Sequence, residues 1–247
     1  MLDPPLRGGM LPDYALIEAV KRGAQAEFDD ALELGASIHT CDIDGRSALE
    51  IAGERGRPEF VRQLIQLGAD KNQPIGKQGE VLLHRAIRTG NGGFAHELLE
   101  LEADASPINS AGRTPLHLAA MKGFQYLAND LLDHGASAYE TTPQGDQPLH
   151  FAARRGDLPM IRTLLRDGAS VEAANNTGYT PIHEAAAAGH TEAVEVLLKK
   201  VGPSLHSRSA LLARVKRVAE LHGQDDTAAA ISAAEEGPSS QSPSRNR

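Results

Sequence analysis

The chain has 247 residues, 40% hydrophobic and 4% aromatic, with no Trp, 24 Gly and 14 Pro, a composition that fits one or two foldable domains. With 25 Lys plus Arg against 33 Asp plus Glu and a formal net charge of -8, it argues against a protein whose main task is gripping nucleic acid. Its one cysteine, Cys41, excludes an intramolecular disulfide framework and offers no Cys pair for a zinc site.

Residues 1–10 read as an N-terminal tail, in which Asp3, prolines and glycines interrupt any apolar run that could act as a secretory core, so no signal peptide is expected. Elsewhere the apolar runs stay short of the roughly 18 to 20 residues needed to cross a bilayer. The expectation is a cytoplasmic protein without membrane contact, or a nuclear one in a eukaryote.

From residue 11 to 200 the chain repeats itself. TPLHLAA begins at Thr114, QPLHFAA at Gln147 and TPIHEAA at Thr180, each 33 residues after the last. Stepping backward reaches VLLHRAI at Val81, SALEIAG at Ser47 and YALIEAV at Tyr14, which makes six units. Nine residues into each unit stands a glycine (Gly23, Gly56, Gly90, Gly123, Gly156, Gly189), where a first helix must stop. Apolar pairs follow at Leu64 and Ile65, Leu98 and Leu99, Leu131 and Leu132, Leu164 and Leu165, and Leu197 and Leu198. Phe60 and Val61, Met160 and Ile161, and Ala193 and Val194 precede them by four, so a second helix is expected in each unit. A Gly-Ala pair closes most units, and a further glycine about ten residues on marks a projecting polar turn.

The period of 33, TPLHLAA and the LL…GA ending resemble the ankyrin repeat over roughly Leu11 to Lys200. The resemblance implies an all-α solenoid, a curved stack of helix-turn-helix-hairpin units with hairpin tips and first helices along a concave side. Thr114 and Thr180 are placed to cap first helices, with Pro115 and Pro181 at the first helical position. Paired alanines such as Ala119 and Ala120, or Ala185 and Ala186, let neighbouring units approach closely. His84, His117, His150 and His183 recur once per unit, too far apart to share a metal. The resemblance makes them buried groups that tie adjacent hairpins and caps.

Departures from the pattern individualise the chain. Glu27 replaces an apolar residue in the first unit, as in an N-terminal cap whose outer face meets water. One extra residue lies between Gly68 and Val81, predicting a hairpin tip that protrudes differently. The third unit has Glu102 in place of the closing glycine and Gly92 and Gly93 at the start of its second helix, which predicts local softness. Residues 201–236 read as a degenerate seventh, capping unit: Leu211, Leu212, Val215, Val218 and Ala219 share a helical face ending at Gly223, and a second helix is expected over Asp226 to Glu236. Residues 237–247 carry nothing apolar enough to anchor them and are expected to be disordered.

No phosphate-binding glycine loop, HExxH pair, GxSxG elbow or CxxC motif occurs. The expectation is therefore a non-enzyme with no cofactor and no metal, and the candidate residues are those that vary on the concave side. The two residues before each helix-ending glycine are Lys21 and Arg22, Glu54 and Arg55, Arg88 and Thr89, Met121 and Lys122, Arg154 and Arg155, and Ala187 and Ala188. Seven of these twelve are basic and one is acidic, which predicts a locally positive groove. The hairpin tips add Arg46, Arg113 and Tyr179 against Glu80 and Asp146. One turn earlier on the helix stand Arg85, Leu118 and Phe151, the last two as apolar anchors ringed by basic residues. The same cations also fit a solvated face near helix C-termini, and Leu118 and Phe151 also fit half-burial between first helices.

The sequence thus points to a scaffold or adaptor, monomeric on its own, that binds a protein partner with an acidic patch or segment. An inhibitory subunit that occludes its partner is the alternative; a nucleic-acid binder and an enzyme rank below both. Asn72 resembles the turn asparagines that are hydroxylated in animal ankyrin repeats.

Overall fold

The structure is a computed structural model that describes residues 11–76, 78–201 and 205–236. The tails expected at 1–10 and 237–247 lie outside the described residues. Helices follow one another in the expected alternation: α1 (Pro12–Arg22), α2 (Gln25–Glu33), α3 (Ala48–Glu54), α4 (Pro58–Gln66), α5 (Leu82–Thr89), α6 (Gly92–Glu100), α7 (Pro115–Lys122), α8 (Gln125–Asp133), α9 (Pro148–Arg155), α10 (Leu158–Arg166), α11 (Pro181–Ala187), α12 (Thr191–Leu198), α13 (Leu205–Leu221) and α14 (Asp225–Glu236). Extended structure among the described residues is confined to two isolated bridges, Cys41 with Ser47 and Ile75 with Glu80.

The six helix-ending glycines have φ between 62° and 77°, a left-handed conformation that ends the first helix without a Cβ penalty. α1 starts a turn earlier than its counterparts and is 11 residues long against 7 or 8 for α3, α5, α7, α9 and α11. The second helices begin on side-chain caps where the sequence offers one: Asn91 accepts from the Phe94 N–H at 3.2 Å and Asp157 from the Met160 N–H at 3.1 Å.

The core is built from the repeated apolar positions. Ala119, Ala120, Ala185 and Ala186 are fully buried, as are Leu64, Leu98, Leu131, Leu164 and Leu197. The second member of each apolar pair is less uniform than the pattern predicts: Leu99 and Leu198 are buried, whereas Ile65, Leu132 and Leu165 are only half-buried. A short helix turns one stripe toward its neighbours, and the adjacent residue falls at the stripe's edge.

The chain forms two compact units, one running to Leu118 and including Asp133–Ala136, the other made of Ala119–Leu132 with Ser137 onward. In the first, α1 packs on α3 and α3 on α5, each carrying its own second helix behind it. In the second, α9, α11 and α13 form the corresponding row, with α12 against α14. α13 has 17 residues and α14 opens at Asp225, one residue before the expected start. Leu212, Val215, Val218 and Ala219 are buried as the pattern predicts, while Leu211 is half-buried.

Hairpins project between the helix pairs, and three of them are closed by a side-chain oxygen that accepts two backbone N–H groups. Asp42 takes those of Asp44 and Arg46, Asn109 those of Ala111 and Arg113, and Asn175 those of Thr177 and Tyr179, all at 3.0–3.1 Å. Backbone bonds close these loops four residues apart, from Asp42 to Arg46, Asn109 to Arg113 and Asn175 to Tyr179. In the hairpin just before the third repeat the loop closes five apart, from the Ile75 N–H to the Glu80 carbonyl, so the extra residue seen in the sequence lies in that tip.

Glu102 is the sole non-glycine residue with positive φ among the described residues, at 59°. It stands exposed where other units have the closing glycine, and holding an L side chain there costs roughly 1–2 kcal/mol. Glu102→Gly should therefore stabilise the chain by about 1 kcal/mol and raise the thermal midpoint by roughly 2–4 °C; an unchanged or lower midpoint by circular dichroism would show that the strain is relieved elsewhere.

Candidate protein-binding surface

The starts of α5, α7, α9 and α11 are each held by a histidine of the same helix. The backbone N–H groups of Val81, Thr114, Gln147 and Thr180 donate to Nδ1 of His84, His117, His150 and His183 at 3.1–3.3 Å. Thr114 and Thr180 add their hydroxyls to the same nitrogens, at 2.9 and 2.8 Å. Because Nδ1 accepts, the proton of the neutral ring belongs on Nε2. From there His84 donates to the Arg113 carbonyl at 2.9 Å and His150 to the Tyr179 carbonyl at 3.1 Å, each in the hairpin 29 residues on.

The residue 29 on from His183 is Leu212, inside α13, and His183 Nε2 is buried without a partner. Burial, followed by the Arg214 charge, pushes His183 down to about 4. Burial lowers His84 and His150 as well, against the partial support of the carbonyls they meet.

Arginines at the ends of the first helices are locked to carboxylates. In the first unit, Arg85 meets Glu50 at 3.3 Å and also pairs with Glu54; Arg46 pairs with Asp42 at 2.7 Å, Asp44 at 3.2 Å and Glu54 at 3.2 Å; Arg88 meets Glu80 at 3.2 Å. Arg46 holds the Asp42 carboxyl below its ordinary value. In the second unit, Arg154 pairs with Glu184 at 2.9 Å and Asp146 at 3.5 Å, and Asn175 donates to Asp146 at 2.8 Å. Glu50, Glu80, Asp146 and Glu184 are all buried, so these guanidiniums have little freedom to swing.

The remaining predicted residues fall as follows. Lys21 pairs with Glu18 at 3.1 Å and Arg22 with Glu27 at 2.8 Å. Arg55 is exposed, Met121 and Arg113 are half-buried, and Lys122 lies 6.0 Å over the Phe124 ring. Arg155 is exposed and 3.9 Å from Asp157, and Tyr179 stacks on His183 at 5.5 Å.

Two expectations need correction. Leu118 and Phe151 are each only 8% exposed and so do not project as anchors; the helix row absorbs them, and the Arg154 guanidinium lies 5.4 Å over the Phe151 ring. The locally positive groove is also largely neutralised within each unit by the carboxylates just named. Asn72 uses its amide oxygen to accept from the Asp104 N–H at 3.0 Å, so it joins successive hairpins.

Sequence reasoning named Glu54, Glu80 and Asp146 on this surface but missed their pairing with the arginines, although a signal was present. Arg46 and Glu54, Glu80 and Arg88, and Asp146 and Arg154 are opposite charges eight residues apart, hairpin tip to helix end, and each pair is in contact. Ser47 and Glu50 also spell a capping box. Ser47 does accept from the Glu50 N–H at 3.1 Å, but the Glu50 carboxylate turns to Arg85 instead of returning to the cap.

Paired helices, left-handed glycines, closed hairpins and histidine-held helix starts define an all-α repeat solenoid. The family model described as ankyrin repeats in three copies matches residues 72–142 and 116–209, more than half of the chain, and the chain belongs to the ankyrin-repeat family. The crystal structure of an ankyrin repeat domain from Acinetobacter baumannii is similar, with a TM-score of 0.69 and 25% identity, covering 75% of this chain and 96% of that one. No curated protein matches the chain. Ankyrin repeats are generally non-catalytic protein-interaction modules. Among the described residues no helix is long and apolar enough to cross a membrane.

Because His183 is held well below its ordinary value, the stability it lends is fully present above about pH 6.5 and is lost as the pH falls through about 4. The thermal midpoint should fall between pH 7 and 4, and His183→Gln should flatten that dependence; an equally steep profile in the variant would assign the acid sensitivity to other groups. Arg154→Ala, which leaves two buried carboxylates short of their cation, should cost about 1–3 kcal/mol, whereas Arg155→Ala should stay within about 0.5 kcal/mol. Equal effects in urea unfolding would show that the two arginines are not held differently.

Proposed function

We propose that this protein is a non-catalytic recognition module that grips a partner protein through the first-helix ends and hairpin tips, and that the partner presents an acidic patch or segment. The observation that supports this reading most is the fixing of Arg85, Arg88 and Arg154 by buried carboxylates of the same or the neighbouring repeat. A cation already held in place loses little side-chain freedom when a ligand arrives. Arg55, Lys122 and Arg155 stand exposed in the same register and add charge that steers an acidic surface and makes association sensitive to salt. Covering the partner, as an inhibitory subunit does, and joining it to a second protein both follow from the same grip, and the partner decides between them.

Reversing charge at Arg88, Lys122 and Arg155 together should reduce capture of partner at low salt by about tenfold or more while leaving a cooperative thermal transition. Affinity purification with the wild type and the triple variant, at low and high salt, tests it. Unchanged capture by a folded variant would sink the reading, and capture of generic DNA or RNA by the wild type would replace it with a nucleic-acid function.

A further inference from the structure

At most junctions within the two units, the bare face of a helix-ending glycine is filled by a side chain from the next repeat. A Cβ on Gly23 would stand 2.5 Å from the Arg57 guanidinium, one on Gly123 would meet Arg155 at 2.7 Å, and one on Gly156 would meet the His190 ring at 2.5 Å; Gln224 closes over Gly189 in the same way. Arg57 and His190 also donate to a carbonyl at the end of the helix they cover, Arg57 to that of Arg22, one residue before Gly23, at 3.3 Å, and His190 to that of Arg154, two residues before Gly156, at 3.2 Å. Gly56 is different. Its nearest neighbour is the Asn91 amide nitrogen at 3.9 Å, because Asn91 is short and turns its oxygen back to cap α6.

The result is a cleft of about 500 Å³ over Gly56, between α3 and α5 of the first unit. Its charged lining is Arg55, Arg85 and Arg88 against the one carboxylate of Glu54. Glu50 and Glu80 pair with Arg85 and Arg88 and fix their positions, while Arg55 stands exposed at the rim.

We infer that this cleft is the anchor subsite for the acidic partner, taking a single glutamate or aspartate side chain that reaches toward Gly56 between the two helices. The inference rests on the recognition reading above and narrows it to one place. The incoming carboxylate stands where the next repeat's side chain lies at the other junctions, with Arg55 and Arg88 donating to its oxygens in charge-assisted hydrogen bonds. Glu54 already shares Arg85 and Arg46, so the anion is directed to the two outer guanidiniums.

Fluorescence anisotropy with a labelled acetyl-hexaglutamate peptide and the full chain tests it, using the wild type, Arg55→Gln, Asn91→His and Arg155→Gln. Asn91→His places over Gly56 the residue type that covers Gly156. The wild type should bind in a salt-sensitive manner, Arg55→Gln and Asn91→His should each weaken binding about tenfold, and Arg155→Gln should change it less than twofold. Circular dichroism melting confirms that each variant is folded; should Asn91→His unfold, Arg55→Gln carries the test alone. Retained binding in Arg55→Gln with loss in Arg155→Gln overturns the cleft and leaves the acidic-partner reading standing. No binding by the wild type at low salt overturns both. Displacement of the peptide by inorganic phosphate at concentrations where acetate has no effect makes this a phosphate site and overturns the proposal.

Discussion

Two helices of seven to eleven residues leave too many polar backbone ends for one repeat to satisfy alone, and the structure depends on how neighbours answer them. The first helices α5, α7, α9 and α11 each begin with a backbone N–H that finds Nδ1 of their own histidine. In two repeats the other ring nitrogen is seen reaching a carbonyl of the following hairpin. One neutral imidazole thus satisfies a donor in one repeat and an acceptor in the next, a role that neither a cation nor an apolar residue could fill in a buried place. Lowered pKa values follow directly from that burial, and stacking becomes a hydrogen-bonded register as well as a hydrophobic contact.

The same close approach governs the charges. Paired alanines with no exposed surface bring first helices near enough that arginines and carboxylates at their ends must take account of one another. Buried ion pairs of this kind add little net stability, because desolvation offsets most of the attraction, but breaking one leaves an uncompensated charge. Their effect here is positional: they hold guanidiniums at chosen points on a surface that solvated lysines would leave diffuse.

Much of this was legible in the sequence and some was not, for identifiable reasons. Helix-ending glycines, the capping residues, the histidines and the extra hairpin residue are local features whose spacing carries their meaning, and they stand where the pattern puts them. Burial of Leu118 and Phe151 depends on how closely adjacent first helices sit, which a one-dimensional period does not report. The ion pairs were readable in principle, since tip and helix-end charges eight residues apart are opposite in three repeats. Leaving the pairing of these charges out of account made the stripe look more positive than it is. The unpartnered Nε2 of His183 is likewise a consequence of α13 running through positions that a hairpin would occupy.

Irregularities are not spread evenly along the stack. Glu50 stands in the histidine's register and answers Arg85 in place of a cap; the hairpin that follows is one residue longer; α6 opens on two glycines behind Asn91; and Glu102 holds a left-handed conformation that every equivalent glycine adopts without strain. All four fall between α3 and the end of the third repeat, the stretch that also leaves Gly56 uncovered. Each departure weakens local stacking by a modest amount, and a repeat array tolerates this because flanking units still support the weakened one through their shared interfaces. A scaffold whose regular positions are committed to folding has room for individuality mainly where its own rule is broken, and in this chain the broken rule and the open, arginine-lined cleft coincide.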